Sequence, residues 1–124
     1  MTRVLLIEDE PLIQKSLKRL LEKRNAIVAV ESSGRSAIAR IQNETFDRII
    51  CDLMLQDISG FDVIEEAKRK YSIEEIRQLF IIITAYSSPQ VLSKASEYGC
   101  LVLSKPFDDL NKALSIFLNE ENRE

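Results

Sequence analysis

The sequence predicts an α/β fold, a doubly wound five-stranded parallel sheet with helices on both faces. Three observations carry that expectation. Five short apolar runs recur along the chain: VLLIE at 4–8, AIVAV at 26–30, RIIC at 48–51, FIIIT at 80–84 and CLVL at 100–103. Segments with helical periodicity separate them. The runs are apolar on successive rather than alternate residues, as strands covered on both faces are, and right-handed crossovers then place helices on each side.

The helices follow from spacing and caps. Leu12, Ile13, Leu17, Leu20 and Leu21 make one stripe after the first strand, and Leu110, Ala113, Leu114, Phe117 and Leu118 make another after the fifth. Both stripes have the i, i+3, i+4 repeat of a core-facing helix and are expected to be core. Ser88-Pro89 supplies an N-cap followed by an N1 proline, and Asp108 or Asp109 can cap the last helix. Ser72-Ile73-Glu74-Glu75 has capping-box form, which predicts an extra helical turn before the fourth strand. No repeat, linker or low-complexity segment interrupts the pattern, and the tail at about 120–124 is expected to fray.

Composition narrows the function classes. A chain of 124 residues fits a single domain, 1–124, with a core that needs no staple. With 17 basic against 20 acidic residues, net charge −3, there is no Lys/Arg stripe to track a phosphate backbone, so direct nucleic-acid binding is not expected. No apolar run approaches the roughly 18 residues that cross a bilayer. The start MTRVLLIEDE is too short and too quickly acidic for a secretory leader, so no membrane contact and a cytoplasmic location are expected. Cys51 and Cys100 lie inside apolar runs without metal-type spacing and read as buried hydrophobes. Histidine is absent, which leaves carboxylates, hydroxyls and lysine for any chemistry.

One carboxylate stands out, Asp52 in the apolar stretch IICDLMLQD. Burying it ionised costs several kcal/mol unless something compensates. Polar residues also appear abruptly at the other strand ends: Glu8 and Asp9 after the first, Thr84 after the fourth, Lys105 after the fifth. Each has a plain structural reading taken alone. The acidic run suits a helix N-terminus, Thr84 a strand, and Lys105-Pro106 a surface turn. Jointly they point elsewhere. Under the flavodoxin-like (β/α)5 strand order 2-1-3-4-5, strands 1, 3, 4 and 5 are neighbours at about 4.8 Å spacing, and their carboxyl ends meet in one crevice. Three carboxylates there repel one another unless a cation joins them. All-oxygen donors select a hard ion, and a shallow site with few protein ligands suits Mg²⁺ better than a calcium cage. With a lysine for an anion and a hydroxyl nearby, the set suits phosphoryl transfer.

These residues resemble the receiver domain of two-component response regulators over essentially the whole chain. The resemblance rests on IEDE near the start, on DLMLQDISG with Gly60 eight residues after Asp52, on Thr84-Ala85 and on SKPF at 104–107. It implies that Asp52 is the phospho-accepting nucleophile and that Glu8, Asp9 and Asp52 hold Mg²⁺ with the Met54 carbonyl. It implies also that Thr84 and the Ala85 N–H take phosphoryl oxygens, that Lys105 pairs with Asp52 or its phosphoryl group, and that Lys105–Pro106 is cis. The donor would be a phosphohistidine on another protein, a sensor histidine kinase or phosphotransfer protein. The output would be a downstream protein or a covalently linked effector, with a dimer left open. The chain is thus expected to be a stand-alone receiver or a piece of a larger regulator, and not an enzyme beyond its own phosphoryl transfer and autodephosphorylation.

Three positions depart from the family pattern. Gln56 replaces a usual proline and is expected to loosen the loop after Asp52. Glu8 replaces a frequent aspartate, keeping the charge with a longer reach. Val102 replaces an aromatic that swings inward as the Thr/Ser hydroxyl moves, so Thr84 and Val102 are expected to switch the face of the fourth helix, fifth strand and fifth helix weakly or by another route. Met54 and Tyr86 flank the route of an attacking water, and their bulk predicts slow autodephosphorylation. Competing readings are weaker. A phosphatase of the haloacid-dehalogenase type wants a second Asp where Met54 stands. A flavodoxin-like cofactor binder wants a phosphate loop where EDEP stands. An unphosphorylated pseudo-receiver that only binds a partner does not need so complete a site.

Overall fold

The apolar runs become strands within one residue of their expected bounds, in a computed structural model that describes residues 2–120. In chain order the elements are β1 (Arg3–Ile7), α1 (Pro11–Lys23), β2 (Ile27–Glu31), α2 (Gly34–Asn43), β3 (Arg48–Asp52), α3 (Gly60–Ala67), α4 (Ile73–Leu79), β4 (Phe80–Thr84), α5 (Pro89–Tyr98), β5 (Leu101–Ser104) and α6 (Leu110–Phe117). The five strands pair in parallel in the order β2-β1-β3-β4-β5, as expected. Of the expected frayed tail, all but Glu120 lies outside the described residues. Glu120 itself holds Arg24 at 2.8 Å.

Strand side chains alternate between two separate cores. Leu5, Ile7, Ile49, Cys51, Phe80 and Ile82 face the layer of α2, α3, α4 and α5. Val4, Leu6, Ile50, Ile81 and Ile83 face α1 and α6. Each fully buried Leu, Ile or Phe contributes about 1.5–3 kcal/mol, so the three central strands carry most of the sheet's apolar stabilisation. β2 and β5 are edges and are only partly covered. Cys51 and Cys100 are buried and free, as expected.

Caps define the helix starts. Ser33, Ser59, Ser72, Ser88 and Asp109 each accept a backbone N–H of their own helix. The Ser72 capping box is complete, and the turn it opens is a helix in its own right, which makes six helices among the described residues rather than five. The core expectation fails at the ends of two stripes: Leu12 is 81% exposed and Leu110 39%. Both sit in the first turns of their helices, where the apolar periodicity continues although the side chains are exposed. With Ile13, Leu20 and Phe107 they rim a shallow apolar groove between α1 and the β5–α6 connection.

Candidate functional site

Among the described residues, the buried polar or charged ones are Glu8, Asp52 and Thr84, and all three sit at the carboxyl edge of the sheet. The ladder places them. Its hydrogen bonds run one residue past the strands, from Glu8 N–H to Glu31 O, Leu53 N–H to Ile83 O and Lys105 N–H to Thr84 O. The backbone on either side of Asp52 is therefore as constrained as the strand interior. The Lys105–Pro106 bond is cis.

Lys105 is the hub. Its Nζ donates to Glu8 Oε1 at 3.0 Å, Asp52 Oδ2 at 3.3 Å and Glu10 Oε1 at 3.4 Å. Asp52 Oδ1 accepts the Met54 N–H at 3.2 Å, and Glu8 Oε2 accepts the Glu10 N–H at 3.1 Å. Asp52 is thus compensated for its burial by an ammonium on one oxygen and an amide on the other. Carboxylate oxygens of Glu8, Glu10 and Asp52 lie within 4.8 Å of one another. Asp9 is half-buried beside that set and outside it. Glu10, which the sequence reading passed over, enters because it stands at the N-cap of α1 without making a cap bond, so its carboxylate is free to reach Lys105.

One ammonium among three carboxylates leaves negative charge to neutralise. Burial pulls the Lys105 pKa down, but its bond to Glu8 and the charges of Asp52 and Glu8 more than restore it, and the net shift is upward. Lysine stays charged. Burial pushes the Glu8 carboxyl up to about 7, against the lowering effect of the Glu10 N–H and Lys105. Glu8, the most buried of the three carboxylates, therefore exchanges its proton around neutral pH. An all-oxygen set with surplus negative charge fits a hard divalent cation.

The remaining residues lie around this centre. Thr84 is fully buried, and its Oγ1 accepts the Tyr86 N–H at 3.0 Å and donates to Tyr86 O at 3.4 Å, so the hydroxyl is engaged by its own loop. Ala85 is exposed next to it. Val102 is half-buried on the edge strand, opposite Ile82, and packs on the core of the α2–α5 layer. Met54 and Tyr86 are 59% and 69% exposed, so their bulk does not serve core packing.

Comparison with known proteins agrees with this geometry. Over 109 residues the chain is 30% identical to the response regulator ArlR of Staphylococcus saprophyticus, covering 87% of this chain and 47% of that protein. It therefore spans about half the length of that relative. A solved response regulator receiver domain protein (CheY-like) from Methanospirillum hungatei superposes with a TM-score of 0.83 at 25% identity, covering 99% of this chain and 98% of the other. A second, from Pseudomonas aeruginosa, is the receiver domain of sensor histidine kinase PA1611 with a magnesium ion in its own active-site cleft. Its TM-score is 0.78 at 22% identity, over 95% of this chain and 98% of that one, a likeness of fold. Residues 4–115 match the response regulator receiver domain family, and with the order β2-β1-β3-β4-β5 and the acidic, lysine-bridged strand ends, this chain belongs to it.

Proposed function

We propose that this domain is a phosphorylation-dependent signalling switch that accepts a phosphoryl group on Asp52 from a phosphohistidine of a sensor kinase or phosphotransfer protein. Receiver domains are signalling modules of two-component systems. The observation that carries the finer reading is the Lys105 ammonium shared between Asp52 and Glu8 at the sheet edge. An Asp52 oxygen attacks phosphorus, the N–P bond of the donor breaks, and the departing imidazole keeps the electron pair and takes a proton. Lys105 holds the nucleophile in place and then pairs with the transferred phosphoryl oxygens. Thr84 leaves Tyr86 to give its hydroxyl to one such oxygen, and the Ala85 N–H serves another. Glu8, Asp9, Asp52 and the Met54 carbonyl, with Glu10 close by, would hold Mg²⁺, which supplies charge neutralisation for the moving phosphoryl group. Thr84 and Val102 then relay the change to a downstream protein or linked effector, a two-state shift in a cytoplasmic setting.

The central test is incubation with a small phosphodonor and Mg²⁺ followed by intact mass. Wild type is expected to gain one phosphoryl group and Asp52→Asn none. Equal labelling of both, or of neither, removes Asp52 as the acceptor, and labelling of neither favours an unphosphorylated protein-binding module. Replacing Met54 by Asn and Tyr86 by Glu is expected to shorten the phospho-aspartate lifetime, since each new side chain can orient water. An unchanged lifetime counts against that role.

The Glu8 carboxyl links metal binding to pH. With its pKa raised to about 7, the cation must displace a proton at lower pH. Mg²⁺ affinity should fall about tenfold per pH unit below 7 and level off above it. Calorimetry in buffers of different ionisation enthalpy should register the released proton, and Glu8→Gln should abolish the dependence. A flat affinity from pH 5.5 to 8 contradicts this assignment.

A further inference from the structure

The loop between Asp52 and α3 is closed at its base and hooked at its tip. At the base, the Gly60 N–H donates to Leu53 O at 2.9 Å, and Met54 and Ser59 form an antiparallel bridge. At the tip, the Asp57 carboxylate takes two backbone donors from the first turn of α2, Gly34 N–H on Oδ1 and Arg35 N–H on Oδ2, both at 2.9 Å. Ile58 lies over Gly34, where no Cβ stands in its way. Gln56 was expected to leave this loop loose. The hooked tip removes that freedom by hydrogen bonds where the family's proline would have removed it by ring stiffness.

We infer that Asp57 is a positioning residue for the acidic site, anchoring the 54–59 loop to α2 so that the Met54 backbone stays beside Asp52, where it would help hold a cation. The chain of contacts is short. Asp57 holds the tip, the tip and the base bridge leave Met54 little room, and Met54 N–H is already on Asp52 Oδ1 at 3.2 Å. The two α2 amides hold the Asp57 carboxyl below its ordinary pKa, so the hook stays ionised wherever the domain is folded near neutrality. Losing it frees a loop of six residues that carries the Met54 carbonyl, which would help hold the cation, while Lys105 keeps its bonds to Glu8 and Asp52.

This rests on the proposed Mg²⁺ site, and the test separates the two. Mg²⁺ affinity is measured by calorimetry for wild type, Asp57→Ala, Asp57→Asn and Ser33→Ala, with amide exchange of residues 54–59 in the metal-free proteins. Ser33→Ala is the control. It removes the α2 cap bond to Ser36 N–H without touching the loop, at a comparable cost in helix stability. The expected result is a Kd about tenfold weaker for Asp57→Ala with faster exchange in 54–59, an intermediate Asn variant, and Ser33→Ala at the wild-type value. An Asp57→Ala Kd equal to wild type, or a Ser33→Ala Kd weakened as much, overturns the positioning role. Wild type that binds no Mg²⁺ overturns the site as well.

Discussion

Lys105→Met should destabilise the domain by about 3–5 kcal/mol at pH 8 and much less at pH 5, and should slow phosphoryl acceptance by about 10²-fold or more. Methionine keeps the apolar stem and removes only the ammonium, whose side chain is 8% exposed and touches carboxylates that are 0% and 4% exposed. Two buried carboxylates then face each other without a cation. The Glu8 carboxyl, already raised to about 7 by burial, then loses the lowering effect of the ammonium and rises further. The folded variant therefore holds a proton on Glu8 that the unfolded chain has released, and stability falls as pH rises from the ordinary carboxylate range through that raised value. Thermal unfolding at pH 5 and pH 8 reads this directly, with a difference between the two on the order of 10 °C beyond that of wild type. Added Mg²⁺ should recover part of the loss at pH 8 by replacing the missing charge. An equal loss at both pH values would mean that the lysine stem, not its charge, is what matters.

The same charge logic explains how far the sequence could be read. The fold was legible because its strands are apolar on both faces, which only a covered parallel sheet tolerates, and because serine and aspartate caps mark where helices begin. Asp52, Glu8 and Lys105 were legible because each interrupts or directly follows an apolar run, so their strands deliver them to one edge. Glu10 was not, since its reach to Lys105 depends on how α1 enters from Pro11, a tertiary direction that spacing does not encode. Asp57 was not, because its partners lie 22 and 23 residues upstream and are backbone amides of no particular residue type. Leu12 and Leu110 were misread for the converse reason: a stripe shows which side of a helix is apolar and not how far along the helix that side is covered. The Thr84 hydroxyl, turned to Tyr86, is likewise a rotamer choice made by its surroundings.

Gly60→Ala should cost about 2–3 kcal/mol and lower Tm by on the order of 10 °C, more than the same change at Gly34, although the Gly34 contact is nominally tighter. A Cβ at Gly34 would lie 2.4 Å from Ile58 Cγ1 and 2.8 Å from Ile58 Cδ1, atoms of a side chain that can turn away. Alanine also favours the helix there, which offsets part of the crowding, so a loss of about 1 kcal/mol or less is expected. At Gly60 the neighbours cannot turn. A Cβ there would lie 2.8 Å from the Asp52 carbonyl oxygen and 3.1 Å from Leu53 Cα, both backbone of the strand that presents the nucleophile. Either α3 withdraws, breaking the Gly60 N–H bond to Leu53 O, or the strand end shifts and carries Asp52 away from Lys105. Both routes damage the site as well as the fold, so phosphodonor labelling of Gly60→Ala should slow by more than about tenfold while Gly34→Ala labels within a few-fold of wild type. Denaturation midpoints rank the two variants independently of activity. If Gly60→Ala proves as stable as Gly34→Ala, the close approach of α3 to the end of β3 is not what the glycine eight residues after Asp52 is there to allow.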